Sequence, residues 1–352
     1  MTLENITISH ILLGILVSSI MSFALTPLLI RVAVKLDVVD RPIAFHKTHS
    51  SPVPYLGGMA FIATITAITF ASALFLDYGN IRFLVNVILP PFILGVVGLI
   101  DDLSELSANV KFFLQNVVAV PVSLSLVYSG TQANFTGSRF LNLAITVLFL
   151  LFCMNSFNLF DNIDGGASTL LAGVSLCGGT ISFLNGQIGI SFLFALLGGS
   201  SLGFLFWNLP PAKIYLGDCG SLFIGSFLGM LMLRLDFPEV NLLYSFGVIL
   251  TLVAVLFIDT FVVFLSRSIR GISPFKAGKD HLSHRLIQSG LSKKKSVLVL
   301  TGLNLIFGVF SYLIFITREL NRDIVLTISL FALLICLVSF SLLPTLNGNK
   351  DN

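Results

Sequence analysis

Residues 155–168 read NSFNLFDNIDGGAS, set between the almost wholly apolar run 143–154 and the apolar and small residues of 170–183. Three amides and two carboxylates, Asn155, Asn158, Asn162, Asp161 and Asp164, fall within ten positions of a chain that is greasy on both sides. Asn155, Asn158 and either Asp161 or Asn162 recur at the spacing of a helix face, Asp161 and Asp164 share that spacing, and Gly165-Gly166 breaks the helix. The stretch therefore reads as a polar helix end between two membrane helices.

Working outward, 55% of the 352 residues are hydrophobic, 11% are charged and 33 are phenylalanine, with a mean hydropathy of +0.98. A soluble domain carries about 25% charged residues, so the composition excludes that class and implies an integral membrane protein. A net charge of +3 is too small to argue for nucleic acid. The four cysteines have no metal-ligand spacing and read as packing residues. MTLENITISH lacks a basic leader region, so the first apolar run is expected to be retained as a span.

Apolar runs of membrane-crossing length predict helices at 11–33, 56–76, 83–100, 110–129, 139–154, 167–185, 189–207, 221–235, 242–266, 296–316 and 324–343. The expected fold is all-α: one polytopic domain over 1–352 with about eleven transmembrane helices. Placing the N-terminus outside and the C-terminus in the cytoplasm leaves Arg82, Arg139, Arg234, Arg318 and Arg322 outside and the remainder of the 20 Lys and Arg inside. Cytoplasmic loops hold the excess of basic residues, which selects this orientation. The loops 34–55, 101–109, 155–166, 208–220 and 267–295 then share the cytoplasmic face, and they hold nearly every unusual polar group.

GLIDDLSEL puts Asp101 and Asp102 directly after apolar residues. An interfacial helix end would carry such residues too, but adjacent carboxylates repel, so a cation is expected between or beside them. The oxygens of the 155–164 stripe suit a hard cation, Mg²⁺ or alternatively Mn²⁺. NLPPAKIYLGDCGS sets Asp218 between glycines, with Gly220-Ser221 offering backbone N–H groups to phosphate, and Asn208 and Lys213 nearby. The basic loop 267–295 carries His281, His284 and Arg285, groups able to bind phosphate, while Lys293–Lys295 need do no more than meet anionic lipid. A zinc pair at HxxH lacks a nearby third ligand. The first loop, DRPIAFHKTHSSPVPYLGG, is basic at Lys47, and Asp259 is an ionisable residue inside the ninth predicted span.

Aspartates on three loops of one face, with amides, glycine turns and basic groups, describe Mg²⁺-dependent phosphoryl transfer at a membrane surface. So many spans imply that one substrate is a lipid. GLIDDL, NSFNLFDNIDGGAS, NLPPAKIYLGDCGS and SPFKAGKDHLSHRL, in this order, resemble the polyprenyl-phosphate N-acetylhexosamine-1-phosphate transferases, most closely the bacterial undecaprenyl-phosphate N-acetylglucosamine-1-phosphate branch. The resemblance implies transfer of a sugar-1-phosphate from a UDP-sugar to polyprenyl phosphate, releasing UMP, at the cytoplasmic side of the inner membrane, to start a cell-envelope polysaccharide. It also implies catalytic roles for Asp101, Asp102, Asp161, His281 and His284. Substrate contacts are implied at Lys47, Asn158, Asp164, Asn208 and Arg285, and metal contacts at Asp218 and Asn155. The partners implied are the UDP-sugar, the lipid and the membrane, with a homodimer left open by the sequence.

Asn162 stands where relatives usually have glycine, Ser283 where they usually have histidine, and His46 and Tyr55 where arginines are common. The related phospho-N-acetylmuramoyl-pentapeptide transferase typically carries adjacent histidines that this chain lacks. An ion-coupled transporter would place acids near mid-membrane and often repeat one half of the chain in the other; neither pattern is present.

Overall fold

The computed structural model describes residues 7–41, 52–75, 81–128, 136–237, 242–273, 278–317 and 319–345. Among them are thirteen helices: α1 Ile8–Lys35, α2 Gly58–Phe75, α3 Ile81–Ser104, α4 Ala108–Tyr128, α5 Arg139–Phe160, α6 Gly166–Leu184, α7 Ile188–Asn208, α8 Gly217–Met232, α9 Leu242–Leu252, α10 Ala254–Ile269, α11 Leu282–Gln288, α12 Lys293–Ile316 and α13 Glu319–Leu342. One two-residue ladder, β1 Val39–Asp40 against β2 Val53–Pro54, pairs antiparallel.

Every predicted run forms a helix, with two differences. The run 242–266 breaks at Val253 into α9 and α10, bent by 75°, and the basic loop contains the short α11. Eight helices are long and apolar enough to cross a membrane, nine if α9 and α10 form one span, whereas α2 and α8 are shorter. Length alone therefore supports eight or nine of the eleven expected spans. The 16 residues of α8 rise about 24 Å, short of the roughly 30 Å of a bilayer core.

The centre of the bundle is α8. Every residue from Cys219 to Met232 is buried, as expected of a helix apolar all round, and α3, α5 and α2 surround it. Phe61 packs edge-on against Phe204, and Phe223 stacks on Phe227, in the same core. The outer faces of α1, α4 and α13 expose Leu12, Leu16, Phe112, Phe113, Phe331 and Leu334, large side chains suited to lipid.

Close approach of backbones sets the first turn of α8. A Cβ on Gly98 would lie 2.2 Å from the Asp218 carbonyl oxygen, and one on Gly58 would lie 2.1 Å from the Gly220 nitrogen. Only glycine leaves room there. The chain before α8 is also stitched to the chain before α2: Tyr215 N–H donates to Pro54 O at 2.7 Å, Gly57 N–H to Tyr215 O at 3.0 Å and Gly58 N–H to Leu216 O at 2.8 Å.

Candidate functional site

The end of α3 meets the start of α8 through Asp102. Its two carboxylate oxygens accept the backbone N–H groups of Asp218 and Cys219, each at 2.9 Å. Those are orphan donors of a helix start, and a carboxylate is the group they favour. Tyr55 donates its hydroxyl to the Asp102 carbonyl at 3.1 Å. Asp102 thus pegs α8 in place rather than pointing a free carboxylate into the site.

Asp101 does face a partner. Its Oδ1 accepts Leu106 N–H at 2.7 Å, and its Oδ2 pairs with the Lys111 ammonium from α4. The same ammonium lies 2.6 Å from Asp218 Oδ2. Asn158, at the end of α5, donates to Asp218 Oδ1 at 2.5 Å and to Ser221 Oγ at 2.7 Å. Four helices therefore converge on one cluster, Asp101, Lys111, Asp218 and Asn158. An ammonium, Lys111, thus stands beside Asp101 of the aspartate pair, a contact not singled out from the sequence. Its signal was a lone charge at the start of the apolar run 112–129, the kind of ionisable residue that is functional by default.

Asp161 follows α5 directly, half-buried. Burial, then the Asp218 charge, then Asp164, push its pKa up to about 7. Asp164 accepts Ala212 N–H at 3.3 Å and lies 3.6 Å from Lys293 Nζ. Between them Asn162 donates to Leu159 O at 2.7 Å and accepts the Ser283 hydroxyl. The two departures at 162 and 283 thus touch each other and tie the 161–164 loop to α11.

Several expected contacts are engaged otherwise. Asn155 exchanges hydrogen bonds with Gln115 at 2.8 and 3.4 Å and donates to Leu151 O at 2.8 Å. Its carboxamide faces Gln115 of α4. Asn208 is buried: its Oδ1 accepts Gly165 N–H at 2.9 Å and Ser168 Oγ at 3.3 Å, and its Nδ2 donates to Ile214 O at 2.9 Å. It ties the loop at Gly165 to the loop at Ile214. Arg285 is also buried; its Nη1 donates to the carbonyls of Phe340, Ser341 and Leu343 at 3.0–3.3 Å, and its Nε to Asp280 O at 2.9 Å. A cation at these carbonyls caps the end of α13. Lys47 and His46 lie outside the described residues.

His281 Nδ1 contacts Asp259 Oδ2 at 2.8 Å, and the His284 ring stands edge-on to it with centroids 6.1 Å apart. Burial, then the neighbouring His281, push His284 down to about 4, so it is neutral at physiological pH.

A hard cation fits part of this cluster. The Asp218 carboxylate, the Asn158 carboxamide and the Ser221 hydroxyl converge on one another, an oxygen donor set of the kind Mg²⁺ takes, provided the Asn158 amide turns its oxygen inward. Among the described residues no group of three or more His, Cys, Asp or Glu is placed to hold a metal, so solvent and substrate oxygens would have to complete the shell.

The family profile described as "Glycosyl transferase family 4" matches residues 84–236, the segment from α3 to α8 that carries the cluster. A Bacillus subtilis (strain 168) protein named "Probable undecaprenyl-phosphate N-acetylglucosaminyl 1-phosphate transferase" is 31% identical, over 96% of this chain and 92% of its own. The Thermotoga maritima undecaprenyl-phosphate alpha-N-acetylglucosaminyl 1-phosphate transferase is 29% identical over 83% and 87%. A phospho-N-acetylmuramoyl-pentapeptide-transferase of Streptococcus equi subsp. zooepidemicus is 32% identical, but over 52% and 59%. On these matches the chain belongs to glycosyl transferase family 4, among its polyprenyl-phosphate N-acetylglucosamine-1-phosphate transferases.

Proposed function

We propose that this protein transfers N-acetylglucosamine-1-phosphate from UDP-N-acetylglucosamine to undecaprenyl phosphate, releasing UMP. The convergence of Asp101, Lys111, Asp218 and Asn158 from four helices carries this reading, and the near full-length match to the Bacillus relative favours it over the pentapeptide transferase.

The chemistry needs little from a general base. A phosphate monoester has a second pKa near 6, so at neutral pH the lipid phosphate is mostly a dianion and already a nucleophile. Its oxygen attacks the β-phosphorus of the sugar nucleotide as the bond to the bridging oxygen breaks, and UMP leaves with that electron pair. One diphosphate replaces another, so no ATP is consumed. Three phosphoryl groups gather at the site, and the main demand is for positive charge and orientation.

Lys111 supplies a fixed cation, and Asp101 holds it in place. Asp218, Asn158 and Ser221 would hold Mg²⁺, which when bound draws negative charge from the diphosphate. Asp164 and Lys293, together at the next loop, orient the nucleotide.

Nine long helices, with the bent pair α9 and α10 taken as one span, together with the shorter α2 and α8 and the charge asymmetry, fit a chain of eleven crossings in the inner membrane. Its N-terminus is then outside, and the cluster faces the cytoplasm where UDP-sugars are made. The test is UMP release by purified protein given Mg²⁺, undecaprenyl phosphate and a panel of UDP-sugars. Release is expected with UDP-N-acetylglucosamine and not with the muramoyl-pentapeptide nucleotide; no release with any of them sinks the proposal.

A further inference from the structure

Asp259 lies in α10, 1% exposed and surrounded by apolar residues. A carboxylate there is costly unless it is paired and hydrogen-bonded. Both of its oxygens are used, and both by one short stretch: Oδ2 meets His281 Nδ1 at 2.8 Å and Oδ1 accepts the Leu282 N–H at 2.8 Å. With a carboxylate as its partner, Nδ1 must carry the proton. The other ring nitrogen, Nε2, makes no hydrogen bond among the described residues, although His281 is 5% exposed.

Anchoring the loop does not need this pair. Arg267, two turns along the same face of α10, already grips Asp280 with Nε to Oδ2 at 2.9 Å and Nη2 to Oδ1 at 2.7 Å. Arg270 adds a third bond to Asp280 at 2.7 Å. What Asp259 contributes beyond that grip is an acceptor for the Leu282 N–H, which an asparagine oxygen also supplies, and the orientation and tautomer of one imidazole. On the other side, Ser283 bonds to Asn162, so residues 280–283 bridge α10 and the loop that carries Asp161 and Asp164.

We propose that Asp259 is a positioning residue for the transfer reaction: from α10 it holds the His281 imidazole by Nδ1–H, so that Nε2 is the nitrogen offered to the diphosphate of the sugar nucleotide. The proposal rests on the function given above. Asp259 acts only through His281, since its carboxylate is enclosed by protein and reaches no substrate.

A double-mutant cycle tests it, with kcat and KM for both substrates measured on full-length protein in detergent with Mg²⁺. Asp259→Asn is expected to lower kcat about 10- to 100-fold, by analogy with removing the orienting partner of a metal-ligating histidine, with KM for undecaprenyl phosphate unchanged. Asp259→Glu, which keeps the charge and the acceptor, is expected to recover part of kcat. In a His281→Ala background, Asp259→Asn is expected to cost nothing further. An equal loss in both backgrounds overturns the proposal. If the asparagine variant does not fold, the cycle is run with Asp259→Glu, whose displaced carboxylate must likewise have no effect once His281 is alanine. Absence of UMP release by the unmodified protein would instead overturn the function itself.

Discussion

At the scale of single residues, the adjacent aspartates of GLIDDL differ in what they do. Asp101 pairs with Lys111, whereas Asp102 spends both oxygens on the backbone of α8. Asp102→Asn can accept at only one oxygen and leaves a buried N–H unpaired, a loss of about 1–3 kcal/mol; a thermal unfolding scan should register it before any assay does. Asp218→Asn should instead keep the fold and lower kcat about 10²- to 10³-fold, the scale of losing one preorganised electrostatic group, as read by UMP release. Asp161 yields a pH prediction. Its pKa is about 7 in the folded protein against an ordinary 3.8, so the folded form holds the proton more tightly and ionisation costs stability as pH rises through 7. In chelator, the thermal midpoint of Asp161→Asn should gain on that of the unmodified protein between pH 6 and pH 8; a constant gap would contradict the assignment.

At the scale of elements, the contact of α2 and α3 with the first turn of α8 is backbone against backbone. Gly98→Ala would press a methyl into the Asp218 carbonyl, and overpacking of this kind costs about 1–3 kcal/mol. Shifting that turn moves Asp218 itself, so loss of UMP release together with a lowered thermal midpoint is expected; normal values of both would show that the helices separate easily. The helices were legible in the sequence because each is a long apolar run bounded by polar turns. The break at Val253 was not, because 246–258 holds no proline and its one glycine, Gly247, lies well before the bend. The bend is imposed by packing rather than by a local breaker. The roles of Asp102 and Asn208 were hidden for a related reason. Asp102 caps a helix more than a hundred residues away, and Asn208 joins two loops 43 residues apart, distances at which spacing carries no information. Asp161 and Asp164 stood out because the stretch 155–164 gathers five polar side chains between two apolar runs.

At the scale of the whole molecule, the described parts of the site come from α3, α4, α5, α8 and the loops after α5 and α10, and the orientation proposed above would put all of them on one side of the membrane. Single cysteines placed at Ser104 and Ser292, in a background whose four native cysteines are replaced, should react with impermeant thiol reagents only after the membrane is opened from the cytoplasmic side. Labelling of either in intact cells would reverse the orientation. The last helix belongs to this arrangement as well. Arg285, one residue beyond His284, is locked onto the carbonyls that end α13, so the end of the final helix is part of the support of the histidine loop. A practical asymmetry follows for anyone handling the protein: a rigid fusion partner grafted directly behind Leu343 would pull on the histidines, whereas one joined through a long flexible spacer would leave them undisturbed.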